Sequence, residues 1–213
     1  MANLPAKERA RGVISPSTGN HGQGVAYAAQ LFGVKCIIAV PEGANPLKVE
    51  AMRNFGADVH FHGPTYDDAK EYAERLATEQ GLSYVHASNE SLIIAGYATL
   101  AMEVLEEVPD LDVIFSPLGG GALAAGTCLA TKTTCPETKV IAVQSAQAPA
   151  GYLSWKEQRL QGAPMRSIAE GIATGNGYEM PQEMLRELLD DFILVEDTEL
   201  KNAILVYLER CHV

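Results

Sequence analysis

The stretch that decides the fold is Gly12–Gly24, "GVISPSTGNHGQG", in which an apolar run passes through a turn into a helical pattern. The turn consists of hydroxyls, glycines, an amide and an imidazole, and it carries no charged side chain. At a strand-to-helix turn, free backbone N–H groups and the positive end of the helix dipole point outward together. The turn therefore predicts a site for a carboxylate or phosphate that is held without lysine or arginine.

Two other interpretations of this turn stay open at the sequence level. The serine and threonine can cap the following helix, while the glycines allow close packing of helix and sheet. Gly19, Gly22 and Gly24 also form a loose dinucleotide-like pattern. Their spacing is not G-x-G-x-x-G, and Glu42 follows the next strand too closely for a ribose ligand, so we disfavour a nucleotide.

A second glycine cluster, "SPLGGGALAAG" at Ser116–Gly126, repeats the same arrangement after another apolar run. Three successive glycines allow the backbone to form a nest of N–H donors, for which a phosphate is the natural ligand. The alternative is a flexible turn, although a strand-to-helix connection does not require three glycines. Together the two clusters imply a ligand with a phosphate and a carboxylate, or a phosphorylated cofactor beside a carboxylate substrate.

Short apolar runs alternate with helical patterns along the whole chain, which predicts an α/β fold with parallel sheets flanked by helices. Thr65–Gln80 is amphipathic and ends at Gly81, whereas Ser91–Val108 is apolar nearly all round in its first half and is predicted to be buried there. We expect two lobes, residues 1–90 and 91–213. The predicted strands are "GVIS", "KCIIAV", "DVHFH", "SYVHA", "DVIFSP", "KVIAVQ" and "FILVE".

Charge and cysteine content exclude several classes of partner and location. The 213 residues carry 27 acidic and 16 basic side chains, a formal net charge of -11, which disfavours nucleic acid and anionic membranes. The four cysteines show no CxxC pair, which favours a reducing, cytoplasmic compartment. The sequence contains neither a signal-peptide core nor an apolar stretch long enough to cross a bilayer.

The motifs "STGNHGQ" and "GGGAL" resemble those of the fold type II pyridoxal-phosphate enzymes, in the branch of threonine/serine dehydratases and serine racemases. The segments "VPEGANPLKVEAMRNFGADV", "IAGYATLAMEVLEE" and "AEGIATGNG" resemble that family in the same order, so the likeness covers essentially the whole chain. It implies a two-lobed, tryptophan synthase β-like fold of which the larger lobe, residues 91–213, is incomplete.

The resemblance also implies roles for individual residues. Asn20 would contact the 3-oxygen of the pyridoxal ring, and Gly171 would line the ring. The substrate carboxylate would bind at the helix start, and the cofactor phosphate at the second glycine cluster, where alanine replaces the last of the family's four glycines. The substrate set is Ser17, Thr18, Gly19, Asn20 and His21, and the phosphate set is Gly119, Gly120, Gly121, Ala122 and Leu123.

The implied reaction is the β-elimination of a hydroxyl from L-threonine or L-serine, which gives a 2-oxo acid and ammonia, with the pyridine ring as electron sink. Serine racemases place a serine base at the position of Thr18, the possible catalytic residue of this chain. Because the methyl group of threonine constrains its hydroxyl, we favour an ammonia-lyase over a racemase. The other alternative is a non-catalytic module that binds pyridoxal phosphate or phosphate.

In the family, a lysine that forms the Schiff base with the cofactor precedes the first turn in an S-F-K-x-R-G-like motif, which this chain lacks. We therefore expect this chain to be truncated at both ends and to be inactive by itself. The full-length protein is expected to be an enzyme of amino-acid metabolism. It is expected to form a homo-oligomer, either a dimer or a tetramer. Some relatives carry a cation where this chain has Gln144 and Ala150, so we expect no metal.

Overall fold

The computed structural model describes residues 1–211, which form two compact units, Met1–Ala87 and a second that begins at Ser88. Each unit contains one sheet of parallel strands with helices packed against it. The predicted α/β class, with parallel sheets flanked by helices, is confirmed, and so are the positions of the predicted strands. This alternation brings the carboxyl end of each strand to the same edge of its sheet, where strand-to-helix turns form.

The first unit has a sheet of four parallel strands in the order β3-β2-β1-β4. Its strands are β1 Val13–Pro16, β2 Cys36–Val40, β3 Asp58–Phe61 and β4 Ser83–Tyr84. Its helices are α1 Ala6–Arg11, α2 Asn20–Phe32, α3 Pro46–Asn54 and α4 Tyr66–Gln80.

Strands β1 and β2 are buried along their whole length, which explains their continuous apolar sequence. On one face of the sheet, Ile38 packs in a cluster with residues of α2 and α3. On the other face, Ile14 and Ile37 pack with Ala69 and Ala73 of α4. The central strands are therefore covered by helices on both sides, which holds the turn after β1 at the sheet edge.

Helix α4 confirms the amphipathic pattern of Thr65–Gln80. The Thr65 hydroxyl accepts from the Asp68 amide at 3.2 Å, and the Asp68 carboxylate accepts from the Thr65 amide at 2.9 Å, which forms a capping box. Ala73 and Leu76 are buried on the inner face, and Gly81 ends the helix in the left-handed conformation.

The described part of the second unit has three parallel strands in the order β5-β6-β7. These strands are β5 Val113–Pro117, β6 Lys139–Ser145 and β7 Asp191–Val195. Its helices are α5 Ser91–Glu107, α6 Ala122–Thr134, α7 Ala150–Lys156, α8 Glu179–Leu188 and α9 Asp197–Arg210, with a 3-10 helix at Glu170–Ile172 between α7 and α8.

Helix α5 packs closely on α6 through a glycine. A Cβ atom on Gly126 would lie 2.6 Å from the Ile94 carbonyl oxygen and 2.8 Å from the Ala98 amide nitrogen. The small residues of α6 therefore serve helix packing. The predicted burial of the first half of α5 is wrong, because Leu92 is exposed and only one stripe of the helix, containing Ile94, is buried.

Helix α1 is not among the elements that the sequence predicts, because Ala6–Arg11 has no apolar face and no buried residue. Helix α8 begins at Glu179 and contains Pro181 at its third position. The proline is tolerated there because amides in the first helical turn have no partner within the helix. Across residues 1–211, every helix is too short or too polar to cross a bilayer.

We predict that Ile38→Ala lowers the free energy of unfolding by about 2–5 kcal/mol, because it opens a cavity in a fully buried strand. Leu47→Ala, at a side chain that is 75% exposed, is the matched control and should change it by less than about 0.5 kcal/mol. Urea unfolding followed by circular dichroism measures both. Equal losses for the two variants would contradict the assignment of the core to the β2 face.

Candidate active site

The turn after β1 is organised by the hydroxyl of Ser17. This oxygen accepts hydrogen bonds from the amides of Gly19 at 3.3 Å and Gly22 at 2.8 Å, while the Ser17 amide donates to the Ala39 carbonyl at 3.1 Å. Ser17 thus acts as an internal cap that joins the turn to the start of α2 and to β2, as one of the two alternative interpretations of this turn requires. Its contribution to the site is to fix the turn.

The amides of Thr18, Asn20 and His21 remain available in this turn. Among residues 1–211, none accepts a hydrogen bond from these three amides or from the side chains of Thr18 and Asn20. The amides lie at the start of α2, so the helix dipole adds positive potential at the same place. The turn therefore offers neutral donors to an anion, and the sequence-predicted residues lie together in it.

His21 is held in a defined tautomer. The Ser15 hydroxyl donates its proton to the Val85 carbonyl at 2.8 Å, so at 3.0 Å its oxygen accepts from Nε2–H of His21. Nδ1 is then the unprotonated ring nitrogen. Burial, and to a smaller extent the charge of His86, lower the pKa of His21, while its contact with the Val85 carbonyl opposes the shift. His21 is therefore a neutral, oriented imidazole at neutral pH.

The glycine-rich loop after β5 presents a row of unpaired amides. The Leu118 amide donates to the Val143 carbonyl at 2.8 Å, which continues the sheet. From Gly119 through Leu123, no amide donates to any acceptor within the described residues 1–211. Gly121 has φ +92°, which reverses the chain into α6 and is a conformation that favours glycine.

Each of the three glycines is required by its neighbours. A Cβ atom on Gly119 would lie 2.5 Å from the Gly171 carbonyl oxygen, and a Cβ atom on Gly120 would lie 1.9 Å from the Ser88 hydroxyl oxygen. On Gly121 it would lie 2.9 Å from Cβ of Pro181. The loop is therefore a closely packed turn, which contradicts the alternative of a merely flexible connection.

Gly171 and Ala122 complete the predicted loop residues. Gly171 lies in the 3-10 helix and packs its carbonyl against Gly119, while a Cβ atom on Gly171 would meet nothing within 4 Å. The methyl group of Ala122 is buried at the first position of α6, so the fourth residue of the loop contributes its amide. Alanine in place of the family's glycine thus leaves the donors unchanged.

The donors of the glycine-rich loop match the chemistry of a phosphate ester. Amides from consecutive residues lie at the positive end of α6 and have no acceptor within residues 1–211. The fit is of the kind found at phosphate sites that rely on the backbone. The residues present are therefore compatible with the phosphate of pyridoxal phosphate.

Sequence reasoning missed the residues that hold these two turns in place. Thr174 donates from its hydroxyl to the Gly119 carbonyl at 3.1 Å across 55 positions, and Ser15 reaches Val85 across 70 positions. No local pattern identifies such partners, because they are brought together by the sheet and by the connection between α7 and α8.

Gln144, one of the two positions for which the resemblance implies a cation in some relatives, carries a neutral, structural side chain. Gln144 is fully buried, and its Oε1 accepts from the Tyr152 amide at 3.0 Å. Within residues 1–211, no three histidine, cysteine, aspartate or glutamate side chains cluster in a way that could hold a metal ion.

We predict that the ring of His21 titrates below the pKa of about 6.5 of an unperturbed histidine. Because the unfolded chain then binds more protons, stability is lost as the pH falls through this range. NMR titration of the imidazole measures the pKa directly. Urea unfolding at about pH 7.5 and about pH 5.5 should show a larger loss for the wild type than for His21→Gln. A His21 pKa above 6.5 would refute the neutral assignment.

A second prediction concerns Gly120→Ala, whose added methyl group collides with Ser88 and displaces the amides beside it. We expect the affinity for inorganic phosphate, measured by ³¹P NMR, to fall by about tenfold or more. Gly96→Ala is the control, because a Cβ atom there meets nothing within 4 Å, and it should leave phosphate binding unchanged. Unchanged binding in Gly120→Ala would exclude the loop as the phosphate site.

Two curated proteins illustrate what this chain resembles in sequence. An L-threonine ammonia-lyase from Thermotoga maritima is 38% identical over 216 residues, which cover 100% of this chain and 53% of the relative. A biosynthetic L-threonine dehydratase from Escherichia coli is 38% identical over 197 residues, or 92% of this chain and 38% of the relative. The chain thus spans about half the length, or less, of these curated relatives.

Two solved structures share the fold. The processed form of threonine deaminase isoform 2 from Solanum lycopersicum superimposes with a TM-score of 0.94 at 32% identity, over 98% of this chain and 61% of that one. Serine racemase from Dictyostelium discoideum has a TM-score of 0.90 at 32% identity, over 99% of this chain and 68% of that one. These matches confirm the resemblance drawn from the motifs.

The family model described as "Pyridoxal-phosphate dependent enzyme" matches residues 1–213. The cofactor of this family, pyridoxal 5′-phosphate, carries a phosphate group. On this evidence, the chain belongs to the family of pyridoxal-phosphate dependent enzymes.

Proposed function

We propose that this chain is the cofactor- and substrate-binding part of an L-threonine ammonia-lyase, which converts L-threonine to 2-oxobutanoate and ammonia. L-Serine would react in the same way and give its own 2-oxo acid. The observation that carries the proposal is the row of unpaired amides at Gly119–Leu123, since a backbone phosphate site is what a phosphorylated cofactor requires. The relatives named as L-threonine ammonia-lyases or dehydratases, at 32–38% identity, support the reaction.

In this proposal, the amides of Gly119–Leu123 hold the cofactor phosphate, with Gly171 beside the ring and Asn20 at the ring's 3-oxygen. Bound pyridoxal phosphate supplies an electron sink that stabilises negative charge at the substrate Cα atom. The loop contributes orientation, because its amides are fixed by packing before the ligand arrives. The Asn20 side chain is exposed and has no partner within residues 1–211, so it is available to a ring oxygen.

The substrate carboxylate is assigned to the turn Ser17–His21. Here the amides of Thr18, Asn20 and His21 are its donors, while Ser17 and Gly19 shape the turn through their mutual hydrogen bond. Because the imidazole of His21 is neutral, it adds no positive charge to the site, and the anion is bound by dipoles.

Serine racemase activity is the second candidate function. The observation that supports it is the hydroxyl of Thr18. Within residues 1–211, that hydroxyl donates to no acceptor, so it is free to move a proton. The solved serine racemases from Dictyostelium discoideum and maize resemble this chain at 32% and 29% identity. The methyl group of threonine restricts the hydroxyl's rotamers, which favours elimination.

We further propose that the whole protein is a cytoplasmic homo-oligomer. All four cysteines are free, with Cys36 and Cys128 buried, and burial raises the pKa of both thiols to about 12, so they stay protonated. Size-exclusion chromatography with light scattering on the whole protein tests the oligomeric state. A monomer would contradict this proposal.

The activity is tested in a chimera, in which this chain replaces the segment of the Thermotoga maritima enzyme that aligns with it over 216 residues. We predict that the chimera with pyridoxal phosphate releases 2-oxobutanoate from L-threonine. Asn20→Ala in the chimera should lower kcat/KM by about tenfold or more, while Asn54→Ala, at an exposed residue at the end of α3, should not. A folded chimera that binds the cofactor and releases no 2-oxo acid would overturn the proposal.

The same chimera separates the two candidate reactions. Incubation with L-serine, followed by chiral chromatography, should yield the 2-oxo acid as the main product and little D-serine. Thr18→Ser should raise the share of D-serine, because the methyl constraint is removed. D-serine as the main product of the unmodified chimera would favour the racemase.

A further inference from the structure

The connection between α7 and α8, residues 157–178, forms one wall of the glycine-rich loop. Apart from the 3-10 helix it has no regular structure, yet Gly171, Ile172 and Thr174 lie directly against Gly119. The Gly171 carbonyl and the Ile172 Cα would be 2.5 Å and 3.3 Å from a Cβ atom on Gly119. The position of these residues therefore determines the space around the loop. We call residues 167–174 the wall segment.

The wall segment is fixed at both ends by hydrogen bonds. At its C-terminal end, the Thr174 hydroxyl donates to the Gly119 carbonyl at 3.1 Å, and Thr174 also forms a β-bridge with Pro149. At its N-terminal end, the Ser167 hydroxyl and the Ile168 amide donate to the carboxylate of Asp197, at 2.7 Å and 2.8 Å. One carboxylate therefore holds the end of the segment that is remote from the loop.

The carboxylate of Asp197 does not cap the amides at the start of α9, as an acidic residue in this position often does. The capping box of α9 is made by Glu196 and Glu199, with the Glu196 amide donating to the Glu199 carboxylate at 2.8 Å. The carboxylate of Asp197 instead accepts its hydrogen bonds from outside the helix, including one from the Ser145 hydroxyl at 3.0 Å. It thus ties the end of β6 and the wall segment to the start of α9.

The network around Asp197 extends to Gln147. The Asp197 amide donates to Oε1 of Gln147 at 3.1 Å, the Arg166 amide donates to the Gln147 carbonyl at 3.1 Å, and the Gln147 side-chain amide donates to the Glu196 carboxylate. The donors from Ile168 and then Ser167 hold the pKa of the Asp197 carboxyl below its usual range. The group is therefore ionised at neutral pH, and hydrogen bonds to an ionised acceptor are the stronger kind.

We propose that Asp197 is a positioning residue whose carboxylate holds the wall segment against the glycine-rich loop and thereby sets the geometry of the phosphate-binding amides. The inference rests on the proposed function for the identity of the phosphate. It goes beyond that function, because Asp197 is not assigned to bind the ligand and lies on an element outside both turns. Without the carboxylate, the Ile168 amide and the Ser167 hydroxyl lose the acceptor that ties this end of the wall segment to the start of α9.

The test compares Asp197→Ala with Glu199→Ala in the 213-residue chain. Both remove one carboxylate from the start of α9, but the Glu199 carboxylate accepts from the Glu196 amide, whereas that of Asp197 accepts from the wall segment. Ser167→Ala is the milder variant, since it removes a single donor of the network. Urea unfolding of each variant establishes that it folds.

The first readout is amide hydrogen exchange at Ile172 and Ala173, whose amides bond within the wall segment at 3.0 Å and 3.3 Å. We expect Asp197→Ala to speed their exchange by about tenfold, Ser167→Ala to speed it less, and Glu199→Ala to leave it unchanged. Equal acceleration in Asp197→Ala and Glu199→Ala would reduce Asp197 to a general stabilising residue and overturn the proposal.

The second readout is the ratio of dissociation constants for pyridoxal and pyridoxal 5′-phosphate, measured by equilibrium dialysis. The ratio isolates the phosphate and does not respond to general loss of stability. We expect it to fall by about tenfold in Asp197→Ala and to stay constant in Glu199→Ala. A constant ratio in Asp197→Ala, with faster exchange, would show that the wall segment does not set the phosphate site.

A failure of the proposed function gives a different pattern. If the wild-type chain binds the two ligands equally, the phosphate assignment is wrong for all variants, and with it the link from Asp197 to the phosphate. The exchange data still decide whether Asp197 holds the wall segment. If Asp197→Ala does not fold, Ser167→Ala provides both readouts, and no change in either would contradict the proposal.

Discussion

Unpaired main-chain amides at the carboxyl ends of parallel strands are the constraint on which the rest of this structure depends. The first amides of any helix lack an intrahelical acceptor, and in both turns the unpaired amides extend to residues that precede the helix. At Gly119–Leu123 the row is continuous, and at Thr18–His21 it is interrupted by the cap that Ser17 provides. Each turn lies at the start of a helix, which adds its dipole to the donors.

Keeping such amides unpaired requires rigid surroundings, and the two units achieve this in different ways. Around the glycine-rich loop, neighbouring atoms fill the space where side chains of Gly119 and Gly120 would be. In the first unit, hydrogen bonds through Ser17 and Ser15 fix the turn and the imidazole beside it. Burial keeps His21 neutral, whereas a set of donors keeps Asp197 ionised. Electrostatics and packing thus prepare each turn before a ligand binds.

The sequence predicted what is local and left out what depends on tertiary contacts. Continuous apolar runs identified β2, and the turn residues identified both sets of unpaired amides, because strands and turns follow from neighbouring residues. Ser15, Thr174 and Asp197 were not recognised, since their partners lie far away in the chain and only the folded sheets bring them together.

The misjudged burial of α5 has a related cause. Its apolar residues indicated a buried helix, yet the structure covers a single stripe of it, with Ile94 inside and Leu92 outside. Apolar content shows that a surface is suited to burial and does not identify the neighbour that covers it. For the glycine-rich loop, resemblance in motifs was more informative than periodicity. The glycines of this loop are required because neighbouring atoms lie close to them, and a hydropathy pattern does not record such contacts.

We propose that the amides of the glycine-rich loop bind a phosphate group through the backbone alone. The most direct measurement is a ¹H–¹⁵N NMR titration of the labelled chain with inorganic phosphate. We expect the resonances of Gly119–Leu123 to shift together and to saturate with a single dissociation constant. Saturable shifts confined to other parts of the chain, with these five resonances unmoved, would contradict the account.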